Sequence, residues 1–258
     1  RGDRGILLLM ARPTPNPRRP AEAQPSRVRR GYFECRYGQL HVHNSMPPGG
    51  GFEEGTPLLC LHDMTGSGWV FARCMALAGQ ERSVYAPDLP GFGESDPPAA
   101  RPSIADYGAA LGDFLDSMRL RQVDVLAQRA GTTLAAELAA TRPAQIGRVV
   151  MVSVPLLSEA ERQGRAVTPP AAELPGRSPE WQRWGAEAAA QYPLRERLAR
   201  LSQRLLVLRP RDDLWDATGR VRDVQPAARV TDLEMSGAEL FSSSPERLLE
   251  ALREFLHR

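Results

Sequence analysis

The stretch Val123-Asp124-Val125-Leu126-Ala127-Gln128-Arg129-Ala130-Gly131-Thr132 begins as an apolar, β-branched run and ends where a helical pattern opens over 131–142. A run this short, read against the helix that follows, is a buried strand rather than a helix segment. The same rhythm recurs on both sides. Leu58–Leu61 after Pro57, Val84–Ala86, Val149–Val152 and Leu205–Leu208 are further buried strands, and Val230–Leu233 is a candidate sixth. Helices fill the gaps at about 69–79, 103–119 and 245–257. In the last of these, Leu248, Leu249, Leu252, Phe255 and Leu256 make one stripe behind the start signal Ser244-Pro245. Short apolar runs alternating with helices specify an α/β chain with a mostly parallel, twisted sheet flanked by helices.

Two regions break the rhythm. Upstream, Phe33–Tyr37 and Leu40–His43 alternate around Gly38-Gln39, the pattern of an opening β-hairpin. Within 155–203, Pro169-Pro170 and Pro175-Gly176 precede Trp181, Trp184, Tyr192, Leu194, Leu198 and Leu201 at roughly helical spacing. This segment reads as a short helical cap inserted over the end of the sheet. Its aromatic group is expected either to pack the insertion or to line an apolar mouth. The expected organisation is a Pro/Arg-rich disordered tail over 1–30, a core made of 31–154 and 204–258, and the cap insertion 155–203.

Composition excludes several chemistries. The 258 residues carry 33 basic and 31 acidic side chains, and no lysine occurs, so every basic one is arginine. Schiff-base, lysine-bound pyridoxal-phosphate, Walker-type and kinase mechanisms all need that missing amine. Cys35, Cys60 and Cys74 lack the paired spacings of a zinc knuckle, and an odd number closes no disulfide framework. A cytoplasmic setting, no metal and no cofactor are the resulting expectations. Residues 1–30 hold eight arginines against Asp3 and Glu22, leaving 25 basic and 29 acidic groups in the rest. That tail has no aromatic residue to stack on bases and no helical apolar face, so neither nucleic acid nor membrane is expected as a partner. The run Ile6–Met10 is too short for a signal or membrane segment, and the start, at Met10 or upstream of it, is left open.

Three stretches together resemble the α/β-hydrolase superfamily over about 31–258. Leu59-Cys60-Leu61-His62-Asp63-Met64-Thr65-Gly66-Ser67 is similar to the family's strand and oxyanion-hole loop. Ala86-Pro87-Asp88-Leu89-Pro90-Gly91-Phe92-Gly93-Glu94-Ser95-Asp96 is similar to its Asp-x-x-Gly-x-Gly-x-Ser segment and is the most specific of the three. The stretch 123–132 falls where the family has its nucleophile elbow. The resemblance implies the α/β-hydrolase fold, backbone donors at Met64 and Ala130, an acid at Asp213 and a histidine position at Ala238.

Against that pattern the usual chemistry is expected to fail. The elbow residue is Arg129, whose guanidinium is neither nucleophile nor base at neutral pH, and Ala238 has no imidazole. Asp63 stands where a His-Gly pair would place glycine, so a carboxylate lies beside any developing oxyanion. Arg129 has three readings: an anion receptor at a helix N-terminus, a salt bridge to Asp213 or a neighbouring acid, or a relaxed turn. His62 is expected to fix its loop, Asp88 to organise the Gly91-Gly93 turn, and Ser153 to serve structure at a strand edge. His62, Asp63, Ser153 and Ala238 complete the expected pocket. The function expected is binding of a small apolar or carboxylate-bearing molecule, with Ser-His-Asp hydrolysis lost or very weak, as in a pseudoenzyme. The alternatives are a hydrolase or lyase using Arg129 and Asp213, and a silent ligand-binding or interaction protein. Oligomeric state is left open.

Overall fold

The computed structural model describes residues 25–48, 55–164 and 178–256. Residues 1–24 of the expected tail and 165–177 of the expected cap, including both proline pairs, lie outside them. The chain runs through β1 (Arg29–Cys35), β2 (Gly38–Ser45), β3 (Leu58–Leu61), a 3-10 turn (Gly68–Phe71), α1 (Ala72–Ala78), β4 (Val84–Pro87), α2 (Ile104–Ser117), β5 (Val123–Gln128), α3 (Gly131–Thr141) and β6 (Ile146–Val152). It continues through α4 (Glu159–Gly164), α5 (Pro179–Gln191), α6 (Leu194–Ala199), β7 (Leu205–Pro210), α7 (Trp215–Gly219), α8 (Val221–Val224), β8 (Arg229–Leu233), α9 (Gly237–Ser242) and α10 (Pro245–Leu256).

The eight strands form one sheet in the order β1-β2-β4-β3-β5-β6-β7-β8. β1, β2 and β4 pair antiparallel, and every pairing from β4 to β8 is parallel. Successive side chains on a strand point to opposite faces, so continuous apolar runs load both. Leu59 and Leu61, with Val125, Ala127, Val149, Met151 and Val207, pack under α2 and α3. Leu58 and Cys60, with Leu126, Val150, Val152, Leu206 and Leu208, pack under α1 and α10. This two-sided burial is why the strands read as unbroken hydrophobic runs.

Two boundaries differ from the sequence reading. β1 starts at Arg29, inside the stretch expected to be disordered: Arg29 pairs with Asn44 and Arg30 with His43. The hairpin turn falls at Arg36-Tyr37 rather than at Gly38-Gln39. Asp113 on α2 accepts from the Arg36 backbone N–H at 3.0 Å and from its guanidinium at 2.8 and 2.9 Å, which fixes the turn over that helix. Gly38 then enters β2 with φ +107°, and a Cβ there would lie 2.4 Å from Asp96 Oδ2.

α4, α5 and α6 lie between β6 and β7. α5 begins at Pro179 behind the N-cap Ser178 and packs close to the core: a Cβ on Gly185 would meet the Phe92 ring at 2.8 Å. Tyr192 ends the helix in extended backbone, so it leaves the face of Trp181 and Trp184. Its buried hydroxyl donates to Glu137 Oε2 on α3 at 2.8 Å, tying this segment to the helix behind the elbow. Among the described residues no helix is long and apolar enough to cross a membrane.

Candidate functional site

β5 passes into α3 through a single residue of left-handed backbone, Arg129, with φ +50°. For a residue with a Cβ this conformation costs about 1–2 kcal/mol, so the turn is not relaxed. Tertiary packing imposes it. Arg129 N–H donates to Val152 O on β6 at 2.8 Å, and a Cβ on Gly131 would lie 2.5 Å from Leu61 O. The helix therefore starts hard against the neighbouring strand, and the sharp elbow survives with a guanidinium at its apex.

That guanidinium is held by carboxylates. Nη1 and Nη2 donate to the two oxygens of Asp213 at 2.9 and 3.1 Å, a bidentate pair. Nε lies 3.5 Å from Asp63 Oδ2, and Nη1 lies 3.8 Å from Asp212 Oδ2. Burial disfavours the cation, but Asp213, Asp63 and Asp212 outweigh it and hold the Arg129 pKa above its ordinary value. Of the three readings of Arg129, the salt bridge is the geometry present.

The two backbone donors that the resemblance implies for an oxyanion are also taken. Met64 N–H and Ala130 N–H both donate to one atom, Asp63 Oδ1, at 2.9 and 3.2 Å. Thr65 Oγ1 donates to Asp63 Oδ2 at 3.1 Å. The sequence placed a carboxylate beside these two donors; the fold puts one of its oxygens on both of them. Asp63 occupies the position where a substrate oxygen would collect both hydrogen bonds.

Asp212 emerges as a member of the site that sequence reading passed over. Its Oδ1 accepts from Leu214 N–H at 2.9 Å, which aims Oδ2 inward to accept from Ser153 Oγ at 2.6 Å. Ser153, the residue after β6, has φ +55°. The doublet Asp212-Asp213 offered two acids one residue apart, and only the direction of the loop separates them: Asp213 turns to Arg129, Asp212 to the helix α9 region. There Gly237 approaches closely: a Cβ on it would lie 3.1 Å from Asp212 Oδ2 and 3.4 Å from Ser153 Oγ. Ala238, one residue on, is exposed. The loop folds this way because Ser236 and Glu239 close a reciprocal cap, Glu239 N–H to Ser236 Oγ at 3.2 Å and Ser236 N–H to Glu239 Oε2 at 2.8 Å.

His62 is fully buried and borders neither of the two cavities that meet at Asp63. Leu89 N–H donates to its Nε2 at 3.0 Å, so Nδ1 carries the proton and donates to Asp63 O at 2.7 Å. The ring fixes the backbone of Asp63. Among thiols, Cys60 and Cys74 are buried, and burial pushes Cys74 up to about 12, which leaves it no thiolate for chemistry.

Two cavities meet at Asp63. One, of about 460 Å³, is lined by Asp63, Met64 and Ala130 from the core and by Leu156, Ala189 and Tyr192 on the cap side. The other, of about 710 Å³, is lined by Asp63, Arg129, Ser153, Asp212, Gly237 and Ala238. Asp213 lines neither, and of the cap aromatics only Tyr192 borders the first.

Comparison with known proteins agrees with this architecture. A family model described as alpha/beta hydrolase fold matches residues 56–225. A protein of uncharacterised function from Mycobacterium tuberculosis is 29% identical over 99 residues, 38% of this chain and 29% of that protein. A haloalkane dehalogenase from Mesorhizobium japonicum is 34% identical over 92 residues, 36% of this chain and 30% of the enzyme. The chain thus matches less than a third of the length of these curated relatives. Among solved structures, an enol-lactonase from Burkholderia xenovorans superposes with TM-score 0.74 at 15% identity, covering 88% of this chain and 100% of the lactonase. A thermophilic esterase from Thermogutta terrifontis gives 0.73 at 17%, covering 89% and 98%; at these identities the likeness concerns fold. With the strand order, the left-handed elbow and a family match across most of its length, the chain belongs to the α/β-hydrolase fold family.

Proposed function

We propose that this protein binds a small, uncharged and predominantly apolar molecule in the cavity beside Asp63 and does not perform Ser-His-Asp hydrolysis. The single observation that carries the reading is the internal occupation of the oxyanion hole: Met64 and Ala130 spend their N–H groups on Asp63 Oδ1. A hydrolase needs those donors free for the charge that develops in the transition state. With Arg129 at the elbow there is also no oxygen to attack, and each loss alone is worth orders of magnitude in rate.

The same observation favours an apolar ligand over a carboxylate. A carboxylate would have to displace Asp213 from a bidentate pair or Asp63 from two backbone donors, and it would enter beside three acidic side chains. The cavity of about 460 Å³ is of ordinary small-molecule size, and its cap side presents Leu156, Leu157, Ala186, Ala189 and Tyr192 alongside Glu159, Arg162, Arg195 and Glu196. The free cysteines support a reducing, cytoplasmic setting.

The test pairs binding with chemistry. A panel of p-nitrophenyl esters of increasing acyl length should raise the melting temperature without turnover above buffer, and a fluorophosphonate should label no serine. Ala189→Trp, which fills the cavity, should abolish the thermal shift. Labelling of any serine, or turnover lost in Asp212→Ala, would establish a hydrolytic site and overturn the reading; so would the absence of any shift across the panel.

A further inference from the structure

We propose that His41, His43 and Asp88, where β2 meets the end of β4, form a binding site for a divalent first-row transition ion of the zinc class. The two histidines stand two apart on β2, so the strand's alternation sends both rings to one face. Asp88 follows β4, which pairs beside β2 with His43 opposite Ala86, and its backbone N–H donates to His41 O at 2.9 Å. One nitrogen from each ring and one oxygen of Asp88 fall within 4.8 Å of one another. His41 Nδ1 is 2.8 Å from Asp88 Oδ2, and His43 Nε2 is 3.5 Å from Oδ1.

These separations are close to those of a coordination sphere. Ligand atoms about 2.0–2.1 Å from a tetrahedral zinc lie about 3.3 Å apart. The two measured separations run to different oxygens of Asp88, so coordination through one oxygen requires the carboxylate and the His41 ring to shift from this arrangement, within a cluster whose ligand atoms already lie within 4.8 Å of one another. The carboxylate is already oriented by two backbone donors, Gly68 N–H to Oδ1 at 2.7 Å and Glu94 N–H to Oδ2 at 3.0 Å. Such outer contacts are what hold a metal ligand in place. Two imidazoles and a carboxylate are a donor set that suits this class of ion.

A second observation separates the cluster from an ordinary hydrogen-bonded core. The far nitrogens, His41 Nε2 and His43 Nδ1, are buried without a hydrogen-bond partner, whereas the buried ring of His62 is satisfied at both. Because the carboxylate only accepts, Asp88 holds both near nitrogens as N–H donors in the arrangement seen; an ion taking their lone pairs would move both protons to the far nitrogens and break only the two contacts to Asp88. The packing is built around the rings: Tyr32 lies over His41 at 5.0 Å, Trp69 over His43 at 5.4 Å, and a Cβ on Gly68 would lie 3.0 Å from the His43 ring. An entry path exists, since His43 and Asp88 line a groove of about 1040 Å³ that also includes Arg27, Arg29 and Arg30. A water or an anion drawn by those arginines would complete the sphere.

The test uses the full chain, freed of metal by a chelator and titrated with Zn²⁺ by calorimetry and with Co²⁺ by visible absorption. The sequence contains four histidines, so the control is short. Expected are one Zn²⁺ per chain, the d–d spectrum of a four-coordinate Co²⁺ centre, and a melting-temperature rise of about 5–10 °C at a hundredfold excess over Kd. His43→Ala should lose all three, and His257→Ala should keep them. If His43→Ala does not fold, the Co²⁺ spectrum of the wild-type chain decides. Absence of saturable binding, a six-coordinate spectrum, or equal titration of the wild-type chain and His43→Ala would overturn the assignment.

Discussion

Replacing Asp63 with alanine should empty the oxyanion hole, and an added carboxylate should then refill it. The substitution strips an acceptor from Met64 N–H and Ala130 N–H, which donate at 2.9 and 3.2 Å, and removes one of three carboxylates around Arg129. Orphaning buried donors costs about 1–3 kcal/mol. Here the Asp63 side chain is 19% exposed, so water reaches the vacated donors and the lower part of that range applies, about 1–2 kcal/mol. For a chain of this size that is a fall in Tm of roughly 2–8 °C. Formate has the shape of the missing group. At ten times its Kd it should restore about 1.4 kcal/mol, or roughly 3–6 °C. The assay is thermal denaturation across a formate series at constant ionic strength. The wild-type chain, whose hole is filled, should not respond. Asp63→Asn, which keeps an acceptor oxygen in place, should lose less stability than the alanine variant and also stay silent to formate. Equal formate shifts in wild-type and Asp63→Ala proteins would refute the reasoning, as would an alanine variant that gains stability and ignores formate.

Two further outcomes follow from the same geometry. Converting the site to hydrolysis should take three changes: Arg129→Ser supplies the oxygen, Gly237→His sets an imidazole facing Asp212, and Asp63→Gly clears the donors. Fluorophosphonate labelling and ester turnover should appear in the triple variant and drop by about 10²–10³ when Asp63 is retained; labelling equally strong with Ala238→His in place of Gly237→His would contradict the assignment of Asp212. At the cap, Arg220 donates to Glu161 at 2.6 and 2.8 Å, and this pairing holds the Glu161 pKa at about 2. A carboxylate depressed in the folded state adds stability above its unfolded pKa and loses it as pH falls through the folded value. Limited proteolysis should therefore find α4 protected above about pH 4.5 and opened between pH 4.5 and 2, with Glu161→Gln opened at every pH.

Much of the framework was legible in the residues. Five of the eight strands are short apolar runs buried on both faces, so local hydrophobicity alone marks them, and Leu58–Leu61 falls where it was read. The hairpin turn was misplaced by two residues because Asp113, 77 positions from Arg36, fixes it from a distant helix. The site divides the same way. That Arg129 stands at the sharp turn and that no histidine occurs at 237 or 238 are statements about identity at a position, readable from the sequence. That Asp63 fills the hole, that Asp212 rather than Asp213 faces α9, and that Gly237 rather than Ala238 faces Asp212 depend on where side chains point.

Sequence by itself determined the layered α/β order and the arginine that follows β5, because periodicity and residue type are local properties. The tertiary structure decided what that arginine meets. Its internal ion cluster joins residues 63, 129, 212 and 213 across three loops, and no spacing along the chain encodes which carboxylate oxygen will reach which N–H once those loops converge.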